Sequence, residues 1–146
     1  MTKATRILLV DDDPAGAELT AAALNELGLG AGVSMASDGE EALDFLFHRG
    51  AYADEPASAP AVVLLDLKMP KVDGHEVLRQ IRADPRLRRT RVVVLTSSDQ
   101  EADINRSREL GSDAYLVKPT SIVELIDQLG RLTPEWQDDN ATPPSP

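Results

Sequence analysis

Three observations predict a doubly wound α/β fold, a five-stranded parallel sheet with helices on both faces. Five short, largely aliphatic segments alternate with five segments of helical periodicity. The strongest strand segments, "ILLV" at 7–10, "AVVLLD" at 61–66 and "RVVVLTS" at 91–97, have wholly aliphatic centres, as strands buried on both faces require. The 146 residues suit one core of this size, with no internal repeat and no second domain in view.

The elements follow in order. Ile7 to Val10 is the first strand, and "PAGAELTAAALNELG" reads as a helix with Leu19, Ala23 and Leu27 at helical spacing and Gly28 as its stop. "AGVSMAS" is a weak second strand. "DGEEALDFLFHRG" is a helix with Asp38 as N-cap and Gly50 as its C-terminal stop. "AYADEPASAP" reads as a loop before the third strand. "DGHEVLRQIRAD" is a helix with Val77, Leu78 and Ile81 facing inward. After the fourth strand comes "DQEADINRSRELG", a less apolar amphipathic helix. "DAYLVKP" is the fifth strand and "SIVELIDQLGRL" the last helix. The polar, Pro-rich "TPEWQDDNATPPSP" reads as mostly disordered.

Composition narrows the function classes. The net charge of −10 argues against binding nucleic acid or an anionic membrane by bulk electrostatics. Without cysteine there is no disulfide, thiolate metal site or cysteine nucleophile. No apolar run approaches the roughly 20 residues of a membrane span, and "MTKATR" runs into a strand without a signal-peptide core. A cytoplasmic location is the expectation.

In a parallel α/β sheet, ligands bind at the carboxyl ends of the strands. The first strand brings Asp11, Asp12 and Asp13 to that edge. The third brings Asp66, the fourth Thr96 and Ser97, and the fifth Lys118 followed by Pro119. Carboxylates without Cys or clustered His make a hard oxygen site suited to Mg²⁺. A carboxylate can attack phosphorus and form an acyl phosphate. A cation, a lysine and a hydroxyl can then neutralise and bond the incoming phosphoryl oxygens. Asp13 differs from its neighbours: before Pro14 it makes a good helix N-cap.

The motifs "LLVDDD", "LLDLKMPKVDG", "VVVLTS" and "YLVKP", in this order and spacing, resemble the receiver domains of bacterial two-component response regulators over residues 5–132. The resemblance implies a flavodoxin-like strand order 2-1-3-4-5, with residues 1–132 as receiver domain and 133–146 as a C-terminal extension. It implies that Asp66 accepts phosphate from a phosphohistidine of a sensor histidine kinase. Asp11 and Asp12 would form the acidic pair for Mg²⁺, joined by Asp66 and the Lys68 carbonyl. Thr96 and Lys118 would bond phosphoryl oxygens, with the backbone N–H of Ser97 in reach. Tyr115 would be the aromatic switch, and the Lys118–Pro119 bond would be cis. The chain ends shortly after the fifth helix, so a stand-alone regulator is expected. The "HRGAYADEPASAP" loop and Trp136 resemble single-domain regulators that serve bacterial and cyanobacterial phytochromes. For that subgroup the implied partners are a bacteriophytochrome kinase and a second copy of the chain, docked through the fourth helix, fifth strand and fifth helix.

Other readings weigh less. An aspartate-dependent Mg²⁺ phosphohydrolase would use similar groups, and Asp11 with Asp13 gives a D-x-D spacing, but no second acidic motif follows Lys118 before the last helix. A degenerate receiver would not keep the whole constellation, and a flavin or dinucleotide site would need a glycine-rich loop after the first strand. His48 and His75 read as solvated surface. The arginines of "RADPRLRRTR" read as a solvated loop without the aromatics of a nucleic-acid patch. "NRS" and "NAT" match glycosylation sequons by chance. Trp136 either packs back on the domain or faces a dimer surface.

Overall fold

The structure is a computed structural model that describes residues 5–53, 59–69 and 71–141, with side chains placed to residue 136. Its elements alternate as expected: β1 (Ile7–Val10), α1 (Pro14–Glu26), β2 (Val33–Ala36), α2 (Gly39–Phe47), β3 (Val62–Leu65), α3 (Gly74–Ala83), β4 (Arg91–Thr96), α4 (Glu101–Glu109), β5 (Ala114–Val117) and α5 (Ile122–Ala141). All pairings are parallel, in the order β2-β1-β3-β4-β5.

The three central strands, β1, β3 and β4, are buried on both faces, and their two-residue period divides the core. Ile7, Leu9, Val62, Leu64, Val93 and Leu95 pack with Ala23 and Leu24 of α1 and Leu125 and Leu129 of α5. Leu8, Val10, Val63, Leu65 and Val92 point the other way, against Leu43 and Leu46 of α2 and Val77, Leu78 and Ile81 of α3. The edge strands are weaker in sequence because they are less buried: Met35 of β2 is 45 % exposed and Val117 of β5 is 40 % exposed.

Caps fix the helix starts. Asp13 accepts a hydrogen bond from Ala15 N–H, with Pro14 in the first turn, and Asp38 accepts one from Glu41 N–H. Gly28 ends α1 in the left-handed region at φ +80°. At the end of α2, however, the left-handed residue is His48 at φ 55°, whose N–H reaches Asp44 O. Gly50 falls in the next turn instead of stopping the helix. The loop expected over 51–60 lies partly outside the described residues.

The C-terminal expectation needs correction. Helix α5 does not end near Leu132 but runs to Ala141. Pro134 has no N–H for the Gly130 carbonyl, and the Thr133 hydroxyl donates to that carbonyl instead, at 3.2 Å. One turn on, Trp136 is 1 % exposed and sits in the same cluster as Leu125 and Leu129. Burial of its indole fastens this stretch to the domain. Residues 142–146 lie outside the described residues.

The arginine-rich segment is also more ordered than its composition suggests. Arg82 donates to Gly111 O at 2.9 Å, to Thr90 O at 2.9 Å and to Asp113 Oδ2 at 2.8 Å. It staples α3 to the starts of β4 and β5. Arg86 pairs with Asp84 at 2.8 Å in a short turn that buries Leu87. Neither histidine is fully solvated: both are half-buried, and His75 Nε2 lies 3.2 Å from Ser107 Oγ, which joins α3 to α4. Among the described residues, no helix is long and apolar enough to cross a membrane.

Candidate functional site

Three of the strands that serve the site, β1, β3 and β5, carry their ladders one residue past their ends. Asp11 N–H donates to Ala36 O at 3.1 Å, Asp66 N–H to Val10 O at 3.0 Å, and Lys118 N–H to Thr96 O at 2.7 Å. These bonds hold the backbone where the functional side chains begin.

Asp11 and Asp66 are 5 % and 6 % exposed. Each carboxylate divides its two oxygens between the local backbone and a common lysine. Asp11 Oδ1 accepts from Asp13 N–H at 2.9 Å, and its Oδ2 accepts from Lys118 Nζ at 2.8 Å. Asp66 Oδ1 accepts from Lys68 N–H at 3.3 Å, and its Oδ2 from Lys118 Nζ at 3.0 Å. Burial pushes the Asp11 carboxyl above its ordinary range, against the opposing pull of Lys118. At Lys118 burial pulls the ammonium down, but Asp11 and Asp66 together outweigh it and leave the group above its ordinary value. The lysine is therefore charged and bridges two carboxylates that would otherwise repel one another.

Asp12 stands exposed beside them. Carboxylate oxygens of Asp11, Asp12 and Asp66 lie within 4.8 Å of one another. This all-oxygen, anionic set fits a hard divalent cation that keeps part of its hydration. Asp13 does not join it, because its carboxylate caps α1. The D-x-D spacing of a phosphohydrolase is thus not reproduced as a pair of ligands.

Thr96 is fully buried, and its Oγ1 accepts from Ser98 N–H at 3.4 Å. Ser97 is exposed at the start of the following loop. Tyr115 is half-buried, and its hydroxyl donates to Ser98 O at 2.9 Å. Burial is the main cause that pushes this phenol above its ordinary range. The Lys68 side chain turns away from the carboxylates, with Nζ 3.6 Å from Asp103 Oδ2.

One expectation at this edge is overturned. No cis peptide bond occurs among the described residues, so Lys118–Pro119 is trans. Trans is the lower-energy isomer even before proline, and the lysine already has its direction from the Thr96 carbonyl and the two carboxylates.

Three contributors escaped the sequence reading. Gly74 opens α3 directly against the Asp66 backbone: a Cβ there would lie 2.3 Å from Asp66 O, so only glycine permits this approach. "DG" signals a helix start, and the close contact is invisible without the fold. Ser98 and Asp103 form a hydrogen bond of 2.5 Å beside the site. The Ser98 bond, aided by the charges of Lys68 and His75, holds the Asp103 carboxyl below its ordinary range despite some burial. No motif marks that pair.

A parallel sheet in this order, with buried aspartates and a lysine at its carboxyl edge, is the architecture of a receiver domain. The chain belongs to the response regulator receiver domain family, whose profile matches residues 7–130. It is 41 % identical over 138 residues to the probable methanogenesis regulatory protein FilR2 of Methanothrix harundinacea, covering 94 % of this chain and 86 % of that protein. The structure of the phosphorylated cyanobacterial phytochrome response regulator RcpA superposes with a TM-score of 0.84 at 38 % identity, covering 98 % of this chain and all of that one. The Mn²⁺-bound form of response regulator Rcp1, a protein of Synechocystis sp., superposes with a TM-score of 0.79 at 35 % identity, covering 97 % and 99 % of the two chains.

Proposed function

We propose that Asp66 accepts a phosphoryl group from a phosphohistidine of a sensor histidine kinase, and that the chain then signals through altered protein contacts. The observation that carries this reading is the buried Asp66 carboxylate, bridged by Lys118 at 3.0 Å and adjoining Asp11 and Asp12. An Asp66 oxygen attacks phosphorus, the bond from phosphorus to the imidazole nitrogen breaks, and the histidine leaves with the electron pair of that bond. Lys118 shifts from Asp11 and Asp66 toward a phosphoryl oxygen. The Thr96 hydroxyl and the Ser97 N–H serve the other oxygens.

Mg²⁺ is the ion this donor set suits. It would be held by Asp11, Asp12, Asp66 and the Lys68 carbonyl, and it supplies charge neutralisation for the phosphoryl oxygens. Movement of Thr96 toward the phosphate would be coupled to an inward turn of Tyr115. The chain itself assists gain and loss of its phosphate, but it turns over no separate substrate.

Similarity to RcpA supports a phytochrome, in bacteria a bacteriophytochrome, as the sensor. A homodimer through α4, β5 and α5 is supported by the apolar surface of Val117 and Val123, which are 40 % and 72 % exposed. The net charge of −10 supports a protein partner over nucleic acid or membrane, and the cytoplasm is where such kinases present their phosphohistidine. Phosphotransfer from a panel of labelled histidine kinases tests the reading. Rapid transfer from a phytochrome kinase with Mg²⁺ is expected, and no transfer from any kinase contradicts it. Light scattering before and after phosphorylation tests the dimer, and a monomeric mass in both states removes it.

A further inference from the structure

The start of α2 and the chain that leaves β3 are built onto one another. Gly39, the first residue of α2, is buried, and a Cβ there would lie 2.0 Å from Val72 O and 3.0 Å from Val72 Cβ. Backbone rests on backbone at this point, which only glycine permits. Beside it, Asp38 divides its carboxylate. Its Oδ1 accepts from Glu41 N–H at 2.7 Å and caps α2, while its Oδ2 lies 3.6 Å from Lys71 Nζ. Lys71 itself stands in the left-handed region at φ 67°, a strained conformation for a lysine that persists only where its surroundings fix it. The Val72 side chain packs against the cluster that holds Leu43 and Leu46 of α2. Toward the site, Gly74 N–H donates to Leu67 O at 3.1 Å, and Lys68 N–H donates to Asp66 Oδ1 at 3.3 Å.

We infer that Gly39 and Asp38 are positioning residues for the acidic site: they seat the turn between Leu67 and Gly74 and thereby set the selectivity of the site for Mg²⁺ over Ca²⁺. Helix α2 supplies none of the carboxylates of the acidic cluster, so it acts only through this turn. The inference rests on the reading that the Lys68 carbonyl joins Asp11, Asp12 and Asp66 around a divalent cation. A side chain at position 39 would drive Val72 O back by roughly 1 Å to restore ordinary contact. The turn that carries the Lys68 carbonyl would move with it. Mg²⁺ demands near-ideal octahedral geometry, whereas Ca²⁺ accepts longer and more varied bonds. A displaced carbonyl therefore weakens Mg²⁺ more than Ca²⁺, and support from outside the ligand set is known to govern metal affinity by roughly tenfold or more.

The test compares wild type, Gly39→Ala, Asp38→Asn and Leu43→Ala. Mg²⁺ and Ca²⁺ affinities are measured by calorimetry, and exchange of the Lys68 and Gly74 amides by NMR on the metal-free proteins. Gly39→Ala is expected to weaken Mg²⁺ roughly tenfold and Ca²⁺ by less than about threefold, and to speed exchange of both amides. Asp38→Asn keeps an oxygen to cap α2 but drops the charge that faces Lys71, and should weaken Mg²⁺ roughly two- to threefold. It carries the test if Gly39→Ala does not fold, and wild-type Mg²⁺ affinity in it then overturns the seat. Leu43→Ala, a cavity in the buried face of α2, should lower the melting temperature and leave both affinities unchanged. A merely structural Gly39 would behave like Leu43. Equal loss of both ions in Gly39→Ala, or a loss of Mg²⁺ affinity as large in Leu43→Ala, overturns the inference. Failure of wild type to bind either ion overturns the metal reading itself, whereas unchanged amide exchange in metal-free Gly39→Ala overturns the seat alone.

Discussion

Lys118 places its ammonium 3.0 Å from the Asp66 carboxylate, although the two residues come from different strand ends. The same nitrogen lies 2.8 Å from Asp11. A cation that enters the acidic cluster therefore meets a positive charge already in place.

Lys118→Ala is expected to move two measurements in opposite directions. Mg²⁺ should bind more tightly, on the order of tenfold, because one opposing unit charge is gone. Phosphorylation by acetyl phosphate should become much slower, because no ammonium neutralises the phosphoryl oxygen. Calorimetric titration with Mg²⁺ and a labelling time course check both. Tighter binding with wild-type labelling would remove Lys118 from the phosphate chemistry.

Trp136→Ala should lower stability by about 3–5 kcal/mol, the cost of a large buried aromatic. Its neighbour Glu135 is exposed, and Glu135→Ala should stay within about 0.5 kcal/mol of wild type. Urea unfolding midpoints give the comparison. Equal midpoints would mean that the end of α5 does not belong to the core.

Arg82→Ala should lower stability by about 2 kcal/mol, since it takes this donor from the Gly111 and Thr90 carbonyls and leaves Asp113 Oδ2 with Val92 N–H but without its cationic partner. Arg88 is exposed, and its alanine variant should differ little from wild type. Thermal melts of the two variants separate a staple from a solvated arginine cluster.

These predictions mark where the sequence was legible. Strands β1, β3 and β4 could be read because their residues are buried on both faces. β2 read faintly because Val33, Ser34 and Met35 are only partly covered at the sheet edge. Asp11, Asp66, Thr96 and Lys118 could be placed together because strand ends share one edge in a parallel sheet. The continuation of α5 could not be read, because Pro134 is a stop signal and the Thr133 hydroxyl that compensates for it appears only in the folded helix. Arg82 and Asp103 were hidden for a different reason. Their partners come from other elements, and no local period brings Lys68 to Asp103 or Asp113 to Arg82.

The central claim is that Asp66 takes the phosphoryl group, and intact-protein mass spectrometry after incubation with acetyl phosphate and Mg²⁺ tests it most directly. Wild type should gain a single phosphoryl group that is lost on mild alkaline treatment, as an acyl phosphate is. Asp66→Asn should gain none while keeping the fold. A variant that still acquires the same labile phosphate would contradict the account.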